Sequence, residues 1–117
     1  MVIRLGPMYG GSRTKDTLND ILNNRHVFVS RKTKYSYSHV EWNAAYIRNI
    51  VNQKLFTNKV TEIGARNTIS LQEISERFRS TSTFSGKIDD QYPENCTDGP
   101  NAYDVIKYIQ GQLSNER

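Results

Sequence analysis

Cysteine is almost absent from this sequence: Cys96 stands alone among 117 residues. One thiol closes no internal disulfide and builds no cysteine-based zinc site. Histidine is nearly as scarce, with only His26 and His39. Neither has a cysteine or carboxylate at ligand spacing. No metal and no cofactor is therefore expected, and no catalytic set stands out. No apolar run approaches the roughly 18 residues of a membrane span. No basic-then-apolar leader is read as a signal peptide, so an intracellular setting, cytoplasmic or nucleoid/nuclear, is expected. No Pro-rich or Gly/Ser-rich linker and no repeat breaks the chain. Alanine and leucine are few, yet the apolar residues fall into periodic stripes. One compact domain over 1–117 is expected, with a frayed tail at 114–117.

What is present is charge, unevenly placed. The net charge is +4 and the pI is about 9.3. Residues 1–60 hold ten basic and three acidic side chains, an excess of +7. The half that follows, helix-loop-helix in character over 61–113, is less basic and carries the acidic loop residues Asp89, Asp90, Glu94 and Asp98. Such asymmetry points to an anionic partner, or to a homo-oligomer joined through opposite charge halves.

The pattern predicts an α+β fold: a small, partly antiparallel sheet with a basic hairpin, packed by three to four helices. Val2–Leu5 reads as a strand. Ser12 or Thr14 is expected to cap a helix through Asn23, ending at a left-handed Asn23-Asn24. His26–Ser30 and Tyr35–Ser38 read as two strands of a hairpin with a basic tip. Val40, Ala44, Ile47, Val51 and Leu55 recur at steps of four and three, the core face of an amphipathic helix. Ser70 and Glu73 form a capping box before Leu71, Ile74 and Phe78. Residues 80–99 read as a long loop, with a short element near Phe84–Ile88. Asn101 is expected to cap a last helix whose core face is Ala102, Val105, Ile106, Ile109 and Leu113.

Three segments are candidate sites. In the ribbon Arg25–Tyr37, the cations Arg25, Arg31, Lys32 and Lys34 would meet phosphates, while Tyr35 and Tyr37 would stack on bases. In the segment Gly6–Thr14, the run Gly-Pro-Met-Tyr-Gly-Gly-Ser-Arg-Thr resembles the phosphate-binding loop of thymidine kinases. Ser12 stands where that loop has its lysine, and Arg13 where it has the magnesium-binding hydroxyl. Both the phosphate grip and the metal ligand are thus displaced. What is left is a Gly-rich turn into a helix, or an anion site formed by Gly10, Gly11, Ser12, Arg13 and Lys15. Ser70–Arg79 followed by 80–83 has the flavour of a helix-turn-helix, although Gly86 falls early in its second helix.

The leading expectation is a small non-enzymatic accessory or regulatory protein that binds nucleic acid (DNA or RNA) through its basic, aromatic N-terminal half. Two alternatives stand beside it. One is a protein-interaction module or inhibitor, of phage or viral accessory type, acting on a host protein through the 80–99 loop and exposed tyrosines. The other is a binder of a phosphorylated small ligand at residues 6–15.

Overall fold

The fold is described from a computed structural model, which defines residues 1–11, 16–93 and 98–115. Six short strands and four helices alternate along it. In chain order they are β1 (Val2–Leu5), β2 (Met8–Tyr9), α1 (Thr17–Leu22), β3 (Lys34–Tyr35), β4 (Ser38–His39), α2 (Val40–Asn52), β5 (Val60–Ile63), β6 (Ile69–Ser70), α3 (Leu71–Arg77) and α4 (Asp104–Asn115). The strands pair in twos. β1 runs parallel to β5, with Val2 opposite Val60 and Leu5 opposite Ile63. β2 runs parallel to β4, placing Tyr9 opposite His39. β3 and β6 are antiparallel, with Tyr35 opposite Ile69.

Local chemistry sets the helix starts. Asp16 caps α1 through its carboxylate, which accepts from the Asn19 backbone N–H at 2.9 Å. Ser70 caps α3 in the expected way, its hydroxyl accepting from Glu73 at 3.1 Å. His39 caps α2: its Nδ1 accepts from the Glu41 N–H at 3.0 Å. Ser12 and Thr14, the caps expected for α1, lie outside the described residues. Asn24 takes the left-handed conformation with φ 59°. Asn and Asp tolerate that region because their side chains hydrogen-bond locally.

The core gathers α1, α3 and α4. Ile21, Leu71, Ile74, Ala102 and Val105 are fully buried there, joined by Tyr9, Val27, Tyr35, Tyr37 and Ile109. Three sequence expectations are corrected. First, the basic hairpin does not form. Residues 27–36 run instead beside the distant segment 83–91: Val27 donates to the Thr83 carbonyl, Ser30 to Lys87 and Ser36 to Gln91, each at 2.9 Å. Hydrophobic alternation marks a strand but does not name its partner. Second, the helix-turn-helix does not form, because no helix starts near Ser82 and residues 80–93 are not helical. The Ser80 hydroxyl donates to the Ile21 carbonyl, and Ser82 is buried against the same turn.

Third, the apolar face expected on α2 is not its buried face. Asn43 and Ile50 are buried, whereas Val51 and Leu55 are about half exposed (54% and 50%). Val2, Leu5, Phe56 and Val60 are exposed as well. Parallel strands ordinarily have both faces covered, and among the described residues no third strand joins β1–β5. The radius of gyration, 15.1 Å, exceeds the value of about 13 Å for a self-contained domain of this length. Among the described residues, no helix is long and apolar enough to cross a membrane.

Candidate functional site

Two crevices open at the carboxyl ends of the two parallel strand pairs, the position where α/β sheets bind ligands. The larger, about 340 Å³, lies where β2 ends at Tyr9, between α1 and α4. Leu18, Leu22, Ile109 and Leu113 give it apolar walls. Tyr9, Asp16, Asn19, Asn23, Tyr108 and Gln112 supply polar groups. No lysine, arginine or histidine lines it among the described residues.

An aromatic trio supports this crevice. Tyr9 meets His39 edge to face at 5.2 Å and Tyr108 at a tilt at 5.1 Å, and His39 meets Tyr108 edge to face at 5.4 Å. The cap bond to Glu41 makes His39 Nδ1 an acceptor, so in the neutral ring the proton sits on Nε2. Gly10 follows Tyr9 with φ 96°, and a Cβ there would stand 2.5 Å from His39 Nε2. Only glycine satisfies both the conformation and the space. Burial, with the Asp104 charge and Tyr108 adding to it, raises the Tyr9 phenol above its ordinary value. Tyr9 therefore presents a neutral hydroxyl that both donates and accepts.

The second crevice, about 330 Å³, lies where β1 and β5 end at Leu5 and Ile63. Arg4 and Glu62, 3.8 Å apart, offset each other's charge at its rim. Ser36 stands behind it, its buried hydroxyl without a hydrogen-bond partner among the described residues and close to Gly6 and Gly64, where a Cβ would lie 3.2 and 3.3 Å from it.

The residues anticipated as a nucleic-acid surface are scattered. Arg25 pairs with Asp20 at 3.1 Å, and Arg31 lies 5.3 Å over the Phe84 ring. Lys32 and Lys34 are exposed. The Lys34 backbone N–H is held by the Asp90 carboxylate at 2.7 Å, which brings the basic and acidic segments together within one chain. Tyr35 and Tyr37 are 6% and 3% exposed and meet each other edge to face at 5.6 Å. They fill the core and offer no face to a base. Of the anion-site residues, Gly10 and Gly11 line the larger crevice, while Ser12, Arg13 and Lys15 lie outside the described residues. Tyr108 and Gln112 had no motif to mark them. They flank the predicted core stripe of α4, and only the tertiary packing of α4, which lies against β4, brings them to Tyr9.

No protein-family model and no curated protein matches the sequence. Solved structures match its fold. MoeE5 in complex with UDP-glucuronic acid and NAD superposes with a TM-score of 0.59 at 12% identity, over 90% of this chain and 40% of that one. TunA, an NAD-dependent NDP-hexosamine 5,6-dehydratase involved in tunicamycin biosynthesis, gives 0.56 at 12% identity, over 91% and 37%. PbgP3 from Burkholderia pseudomallei gives 0.53 at 13% identity, over 97% and 46%. The chain thus spans roughly two fifths of the length of these structures.

This likeness corrects the functional expectation. The architecture is shared with part of NAD-dependent enzymes of sugar nucleotides, not with a nucleic-acid-binding regulator, an inhibitor of viral type or a free-standing binder of phosphorylated ligands at residues 6–15. The buried Tyr35 and Tyr37 give the physical reason on the nucleic-acid side.

Proposed function

We propose that this chain supplies the sugar-binding side of an enzyme that modifies nucleotide-linked sugars with NAD. The crevice between α1 and α4 carries the reading. A hexose presents apolar C–H faces and a ring of hydroxyls that donate and accept. The crevice answers with the Tyr9 and Tyr108 rings, the amides of Asn19 and Gln112, and the Asp16 carboxylate. Its volume falls within the range of small-molecule sites.

The chain's own residues do not fit a dinucleotide. NAD binds across an open, doubly wound parallel sheet, and the described strands form only pairs. Under this proposal NAD supplies hydride transfer when bound, held by a further parallel α/β portion. That portion would cover β1–β5 and the exposed apolar surface of Val51 on α2 and Leu55 just beyond its end. The role of this chain is to seat the sugar and to shield it from water beneath the aromatic trio.

Saturation-transfer NMR on the chain with UDP-glucose tests the reading. Saturation is expected at the hexose protons and is expected to fall in Tyr108→Ala and in Gln112→Ala. Gln112 is exposed, so its removal leaves the fold intact. Absence of transfer to the hexose at millimolar ligand, or transfer unchanged in both variants, would overturn it.

A further inference from the structure

A second chemical centre lies on the face where residues 26–28 run beside 83–85, and none of its side chains lines either crevice. The bridge Val27–Phe84 sets it up: Val27 donates to the Thr83 carbonyl at 2.9 Å, and Ser85 donates to the Val27 carbonyl at 3.0 Å. Side chains alternate along extended backbone. Val27 and Phe84 turn toward the core, so His26, Thr83 and Ser85 turn together toward solvent. The imidazole then spans the two hydroxyls. His26 Nδ1 lies 2.6 Å from Thr83 Oγ1, and Nε2 lies 2.7 Å from Ser85 Oγ.

This is the arrangement of an activated nucleophile: a hydroxyl within reach of a base that a third group orients. We propose that Ser85 is a nucleophile primed by His26 to accept an acyl group from an activated ester or thioester. Thr83 acts as the positioning residue. In the productive tautomer Nδ1–H donates to Thr83 Oγ1, and Nε2 accepts from the Ser85 hydroxyl.

Ser85 Oγ attacks the carbonyl carbon while its proton passes to Nε2. The bond from that carbon to the leaving oxygen or sulfur breaks, and the leaving group takes the proton from Nε2. Acyl-serine and a free alcohol or thiol result, with nothing oxidised or reduced. Two features favour Ser85 over Thr83. Its hydroxyl is primary, so less crowded. Gly86 follows it with φ 111°, and a Cβ there would stand 2.6 Å from the Phe28 carbonyl oxygen. Glycine alone makes this turn, which keeps Ser85 at the surface. Phe28, 80% exposed, meets His26 edge to face at 4.6 Å and offers an apolar ring beside the imidazole. The centre is open to water, so one covalent acyl group, not rapid turnover, is its expected signature.

The test treats the full chain with p-nitrophenyl acetate and locates acetyl groups by peptide mass mapping, with p-nitrophenol release followed in parallel. One acetyl is expected on Ser85, absent from Ser85→Ala. His26→Gln retains an amide able to hydrogen-bond the hydroxyls but removes the base. It is expected to slow labelling by about 100-fold, the lower end of general-base assistance. Thr83→Val is expected to slow it less. Acetyl on Thr83 or only on lysines, or labelling of Ser85 unchanged by His26→Gln, would overturn the proposal.

Discussion

The two apolar regions of this chain have similar residues and opposite surroundings. Around α1, α3 and α4, Ile21, Leu71, Ile74 and Val105 have no exposed surface. Along β1, β5 and the end of α2, Val2, Leu5, Val51, Leu55, Phe56 and Val60 all stand open. The first region is closed by the chain itself. The second has a core composition without a core, and the helical period of α2 marks the same face that the structure leaves uncovered. An apolar stripe therefore records that a surface is meant for burial, not which part of the protein buries it.

Substitutions can break this contrast or sharpen it. The largest effect is expected at Ile74, where Ile74→Ala removes a fully buried side chain between α3 and its neighbours. Chemical denaturation is expected to show a loss of about 2–5 kcal/mol. A loss below 1 kcal/mol would mean that the closed region is loosely packed. Ser70→Ala, which deletes the cap of α3, is expected to cost about 1 kcal/mol in the same measurement. The smallest effects belong to the open region. Val51→Ser, Leu55→Ser and Val60→Ser are each expected to change stability by no more than about 0.5 kcal/mol. A cost above about 1 kcal/mol for any of them would show that the chain covers this face itself, and the contrast would fail.

Legibility in the sequence followed the range of the interaction. The Ser70–Glu73 cap was readable because both partners lie within one turn, and the hydroxyl does accept from the Glu73 N–H. β1 and the last helix were readable from local apolar pattern in the same way. The hairpin was misread because Tyr35 and Tyr37 alternate as a surface strand would. Tyr35 pairs with Ile69 and Gln91, and the Ser36 carbonyl between the two tyrosines accepts from Ala65, all too far along the chain for a local pattern to name. The candidate site was illegible for the same reason. Tyr9 and Tyr108 are 5.1 Å apart in space and nearly the whole chain apart in sequence.

By itself the sequence determined the Ser70 cap of α3 and the apolar stripes, since each depends on neighbours within a turn or two. The tertiary structure alone decided which stripe is buried, that the basic and acidic segments meet within one chain, and which side chains share a crevice. Those outcomes depend on contacts between distant segments, formed when their burial outweighs the entropy of closing the intervening loops.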